Sequence, residues 1–100
     1  MDFESIKKEK FSFVYITTKN CNVCKVLQPR LIEIAKVYKG SSFYLIELDN
    51  HKNAAGFFMA FSVPAFLVYS AGKELLRESR HMNFDEIKIK LDRYYEMIFA

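Results

Sequence analysis

A chain of 100 residues with 51% hydrophobic and 27% charged positions, but only 3 Gly and 2 Pro, has the composition of one compact domain. That balance excludes a disordered or fibrous polymer, and the length leaves no room for a second core. A net charge of +3, from 15 basic and 12 acidic residues without a dense Lys/Arg cluster, predicts a mildly cationic surface and no nucleic-acid partner.

Acidic residues at Asp2, Glu4 and Glu9 interrupt the segment where a secretory leader would be basic, and the next apolar run, Phe11 to Ile16, is too short for a membrane span. Neither a leader nor a membrane partner is expected, and the predicted compartment is the reducing cytoplasm. A permanent structural bridge between the two cysteines would be unusual there.

Asp2 is placed to cap a short helix with Phe3 and Ile6 on its apolar side and Lys7 to Lys10 at a solvated end. Phe11-Ser12-Phe13-Val14-Tyr15-Ile16, dense in aromatic and β-branched residues, reads as a strand buried on both faces. Thr17 to Asn20 form the loop that carries the cysteines. From Val23, apolar residues at Leu27, Leu31, Ile34 and Tyr38 predict an amphipathic helix ending at Gly40. Pro29 lies inside it, removes one backbone hydrogen bond and predicts a kink about one turn beyond the second cysteine.

Phe43 to Asp49 reads as a second buried strand, parallel to the first because a helix joins them in a right-handed crossover. Asn50 to Asn53 turn into a short helix over Ala54 to Phe61, stopped because Val63, preceding Pro64, is steered out of the helical region. Ala65 to Tyr69 forms a third strand. Ser70-Ala71-Gly72 then turns it into an antiparallel fourth, Lys73 to Ser79. Asn83 with Glu86 is an Asn form of the capping box and opens a last helix with Phe84, Ile87, Leu91, Tyr94 and Ile98 on one face. The alternation from Ile87 to Leu91 imitates a strand, but the cap and the longer period outweigh it.

Chemistry concentrates in Lys19-Asn20-Cys21-Asn22-Val23-Cys24-Lys25. Two thiols at this spacing can close a small disulfide ring. If Cys21 opens the helix, the positive end of the helix dipole favours its thiolate, the nucleophile of disulfide exchange. The spacing alone is shared by zinc sites, structural bridges and chance pairs. His51 and His81 could formally complete a zinc set, but the long gaps do not resemble a compact zinc module, so no metal is expected and each His reads as a surface residue. Phe57, Phe58, Met59, Phe61 and Phe66 read mainly as core, with a peptide-docking patch as the lesser alternative. No catalytic carboxylate pair, Ser-His-Asp order or phosphate-binding loop is present.

Beyond the cysteines, the chain has Lys25 directly after the second, Pro29 five residues on, Tyr38 with Gly40, Asp49 closing a strand, Val63-Pro64 opening another, and Gly72 in the hairpin. With the order helix, strand, dithiol helix, strand, helix, strand, strand, helix, these features resemble the thioredoxin family over nearly the whole chain. The resemblance implies an α/β fold with a mixed four-stranded central sheet flanked by helices, lacking the first β-strand of full-length thioredoxins. It also implies Cys21 as the exposed attacking thiol, Cys24 as the buried resolving thiol, and a cis Pro64 facing them. The backbone of Val63 would pair with an extended substrate chain, with Asn20 and Asn22 bordering it.

Implied partners are disulfide-containing proteins or peptides, and a flavin-containing thioredoxin reductase or low-molecular-weight thiol as electron donor. No cofactor within the protein is expected. A thioredoxin-like adaptor with vestigial cysteines is the alternative.

Asn20 and Asn22-Val23 depart from the family's Trp and Gly-Pro. Tyr15 and Leu45 stand where the family has a buried Asp and its companion Lys, and Arg80 replaces a small Gly on the docking surface. Losing both buried charges together avoids an uncompensated one. Tyr15, Val23 and Lys25 are thus expected to modulate the site, and Tyr15, with an ordinary pKa near 10, is a poor proton acceptor. Release of substrate from the mixed disulfide should be slower than in thioredoxins. Tyr15→Asp is expected to accelerate that release in a rapid-mixing assay, and an unchanged rate would remove the argument.

Overall fold

The computed structural model describes all 100 residues. They run as α1 (Phe3–Lys8), β1 (Ser12–Thr17), α2 (Asn22–Lys36), β2 (Ser42–Glu47), α3 (Ala54–Phe58), β3 (Ala65–Ser70), β4 (Lys73–Glu78) and α4 (Phe84–Phe99). The sheet order is β2-β1-β3-β4, with β1 parallel to β2 and both other pairings antiparallel. This is the mixed four-stranded sheet expected, with helices on both faces. No helix is long and apolar enough to cross a membrane.

β1 is buried along its whole length and divides the apolar interior in two. Phe13 and Tyr15 point to one face, where they meet Cys24, Leu31 and Ile34 of α2 and Ile87 and Leu91 of α4. Val14 and Ile16 point to the other, against Phe3 and Ile6 of α1 and Phe58 of α3. The alternation follows from the two-residue period of a strand. Ser12 and Thr17 are the polar exceptions; the Ser12 hydroxyl donates to the Ile6 carbonyl at 2.7 Å, and no buried side-chain oxygen or nitrogen is left without a partner.

Each helix of this frame begins or ends with an identifiable device. Asp2 Oδ1 accepts from the Ser5 N–H at 3.2 Å and Asn83 Oδ1 from the Glu86 N–H at 3.1 Å, which caps α1 and α4. The Tyr38 hydroxyl donates to Asp92 at 2.7 Å and the Tyr95 hydroxyl to the Lys39 carbonyl at 2.6 Å, tying the end of α2 to α4. Gly40 has φ +90°, and a Cβ there would sit 3.0 Å from the Phe99 ring, so both backbone and space select glycine.

The structure corrects four sequence expectations. β2 is not buried on both faces: β1 spends its second edge on β3, which leaves β2 at the sheet margin with only Ile46 buried and Leu45 39% exposed. α2 stops at Lys36, and a turn through Val37 carries the chain to Gly40. Lys7 and Lys10 are not merely solvated; their ammonium groups lie 5.2 Å from the Phe57 ring and 4.5 Å from the Phe99 ring.

α3, finally, ends at Phe58 and not at Phe61, because Met59 adopts a left-handed conformation at φ 54°. The end it exposes is capped from β4. Arg77 donates to the Phe58 carbonyl at 2.6 Å and the Met59 carbonyl at 2.9 Å while Glu74 grips the same guanidinium at 2.8 Å. Arg77→Met keeps much of the stem and removes these donors. We expect it to lower stability by about 1 kcal/mol in urea unfolding, the typical net value of lost hydrogen bonds at a partly exposed site.

Candidate functional site

The loop after β1 delivers Cys21 to the position just before α2. The Asp49 carboxylate, just beyond β2, accepts from the Lys19 N–H at 2.8 Å and holds the loop. The Cys21 N–H donates to Thr18 and the Cys21 carbonyl already accepts from the Lys25 N–H, so Cys21 is the N-cap residue. Its sulfur occupies the place of a capping Ser or Asp oxygen and accepts from the Cys24 N–H at 3.1 Å. The same sulfur is bonded to Cys24 Sγ, with the two Cα atoms 5.2 Å apart.

Burial distinguishes the two cysteines. Cys24 is 1% exposed and belongs to the core beneath α2, whereas Cys21 only packs against that core from its edge. No acid lies in the first turn of α2, so nothing there opposes an anion at Cys21. Lys19 and Lys25 flank the pair from exposed positions, as do Asn20 and Asn22, while Val23 is half-buried. The Val63–Pro64 peptide bond is cis. Val63 packs against the same core as Cys21, and Pro64 is buried.

Tyr15 reaches the dithiol from below but not its sulfurs. Its hydroxyl donates to the Cys24 carbonyl at 2.7 Å. Burial pushes its pKa up to about 12, so it stays a donor at any physiological pH.

Other sequence candidates separate cleanly. Phe58 and Phe66 are core, but Met59 and Phe61 are 67% and 72% exposed, which corrects the reading of that aromatic cluster as chiefly buried. They follow α3 into the open because the left-handed turn at Met59 ends the helix before its apolar side can fold inward. His51 is no isolated surface group: its ring lies 6.1 Å from that of Phe3, edge to face. His81 and Arg80 are exposed. No group of three or more His, Cys, Asp or Glu side chains is arranged to hold a metal ion.

One feature escaped sequence reasoning altogether. A cleft of about 390 Å³ opens between β2 and the start of α2, lined by Thr17, Cys24, Lys25, Gln28, Leu45 and Glu47 among others. It depends on the register of β2, in which Leu45 lies beside Tyr15 and Glu47 beside Thr17, a pairing that no local pattern reveals.

Comparison with known proteins gives a consistent match. The family model for thioredoxin matches residues 2–93. The chain is 36% identical over 92 residues to thioredoxin-like protein YdfQ of Bacillus subtilis, covering 92% of this chain and 82% of that protein. The fold is shared with thioredoxin from Trypanosoma brucei brucei, at a TM-score of 0.81 and 21% identity over 94% of this chain and 83% of that one. It is likewise shared with thioredoxin 1 of Thermosipho africanus, at a TM-score of 0.78 and 22% identity over 89% of this chain and 99% of that one.

Tyr15→Phe should cost about 1 kcal/mol near neutral pH through the lost bond to Cys24. Because folding raises the Tyr15 pKa from 10.0 to about 12, its contribution is complete below pH 10 and is lost as pH rises through that interval. Denaturant unfolding as a function of pH should therefore decline less steeply above pH 10 in Tyr15→Phe than in the parent.

Proposed function

The chain belongs to the thioredoxin family, and from that premise we propose that it reduces or exchanges disulfides of proteins and peptides through Cys21 and Cys24. The observation that carries this reading is the asymmetric dithiol at the N-cap of α2. One sulfur belongs to the half-buried Cys21 and receives a backbone N–H, and the other belongs to the enclosed Cys24 within bonding reach.

In the reduced protein, Cys21 is the attacking group. Its thiolate gains from the Cys24 N–H, from the free amides and dipole of a 15-residue helix, and from Lys19 and Lys25, whose exposed charges are screened by salt. Attack on a substrate disulfide joins Cys21 Sγ to one substrate sulfur and expels the other as a thiolate. Cys24 Sγ then attacks Cys21 Sγ, the Cys21–Cys24 bond forms, and the second substrate sulfur leaves with its electron pair. Two electrons have passed from the dithiol to the substrate.

Val63 is assigned the backbone that pairs with the substrate chain, with Pro64 next in the chain and Asn20 and Asn22 offering polar groups at the border. The packing of Val63 and Cys21 against one core supports this assignment. Val23 and Lys25 set the environment of the ring, and Tyr15 fixes the carbonyl of Cys24. The cycle is completed in the cytoplasm by a flavin-containing thioredoxin reductase or a low-molecular-weight thiol, with no cofactor in this chain.

Insulin reduction followed by turbidity tests the proposal. The parent should be active and Cys21→Ser inactive, while Cys24→Ser should accumulate a mixed disulfide visible by mass spectrometry. A parent protein inactive with every electron donor would overturn the oxidoreductase reading in favour of an adaptor.

A further inference from the structure

The second step requires Cys24 to lose a proton inside a site that is 1% exposed, where an apolar surround disfavours an anion unless an acceptor is at hand. Tyr15 does not serve. Its hydroxyl already donates to the Cys24 carbonyl at 2.7 Å, and it keeps its proton to about pH 12. Leu45, its neighbour across the parallel β1–β2 pair, has no titratable group.

Strand alternation brings a carboxylate to the same face one step further on. Ile46 packs with Val14 and Ile16 on the far side of the sheet, so Leu45 and Glu47 turn toward α2 with Tyr15 and Thr17. There Glu47 and Cys24 line one cleft. Its volume of about 390 Å³ far exceeds the ~30 Å³ that a water takes in the liquid. Thr17, Thr18 and Gln28 supply polar partners along the wall. The charged groups on the cleft are Lys19 from the loop, Lys25 from α2 and Glu47 from β2; Asp49 stands at the loop and is engaged by the Lys19 N–H.

We propose that Glu47 is the proton acceptor for Cys24, acting through water in the cleft between β2 and α2. This rests on the oxidoreductase reading. The Cys24 thiol passes its proton to a cleft water, which passes one to the Glu47 carboxylate. The thiolate electron pair forms the bond to Cys21 Sγ as the bond from Cys21 to the substrate sulfur breaks. The substrate leaves as a thiolate, and protonated Glu47 returns its proton to solvent or to that leaving group. The only oxidant consumed is the substrate disulfide. Lys19 and Lys25 at the rim favour the transient anion.

The step can be observed without a physiological substrate. Reduced protein treated with dithiobis(nitrobenzoate) forms a thionitrobenzoate adduct on Cys21, and attack by Cys24 releases the chromophore in a single turnover. In Glu47→Gln we expect release to slow by about tenfold or more at pH 7, a modest share of what proton transfer to a placed base contributes. The rate should climb with hydroxide concentration until it approaches the parent, and Glu47→Asp should retain part of the parent rate.

An unchanged rate and pH profile in Glu47→Gln would overturn the proposal. So would a uniform loss at all pH values, which would mark Glu47 as structural. A parent adduct that forms but releases nothing at any pH would instead sink the oxidoreductase reading itself, and this inference with it.

Discussion

Everything that positions the dithiol depends on the enclosure of β1. All six of its residues are buried, and it pairs on both edges, with β2 on one side and β3 on the other. Such a strand has no freedom to slip, because a shift of one residue would exchange the Phe13–Tyr15 face for the Val14–Ile16 face and misplace both cores. Its fixed register sets the height at which the loop leaves Thr17. That in turn places Cys21 at the start of α2 and the Tyr15 hydroxyl under the Cys24 carbonyl.

The helix start unites two requirements that are usually met by different residues. An N-cap must supply an acceptor for exposed amides, and a thiol nucleophile must have its anion stabilised. Cys21 meets both, because the Cys24 N–H that needs an acceptor is the donor a thiolate would use. Stabilisation by backbone amides requires no buried charged partner, which suits a site where Tyr15 and Leu45 offer none. What amides cannot do is accept a proton, so under the proposed chemistry a base for Cys24 comes from outside the helix.

Much of this fold was legible in the residues. The aromatic and β-branched run at Phe11 to Ile16, the caps Asp2 and Asn83, the short Ser70-Ala71-Gly72 turn, Pro29 five residues after Cys24 and the helix stop before Pro64 each act within a few positions. Local rules were enough for them. The errors share a different origin. Phe43 to Asp49 is apolar enough for a central strand, and only the pairing of β1 with β3 makes it an edge. Phe61 has the spacing of a buried helix position, and only the left-handed Met59, with its carbonyl and that of Phe58 bound by a side chain from β4, leaves it outside.

The sequence by itself determined which segments form helices and strands, that the only two cysteines sit three apart at a helix start, and that Tyr15 is a poor proton acceptor. These follow from residue type, short-range spacing and ordinary titration behaviour. The tertiary structure alone decided that β2 lies open at the margin and that Glu47 shares a cleft with Cys24. Those relations join residues far apart in the chain through strand register and helix packing, and no local pattern encodes them.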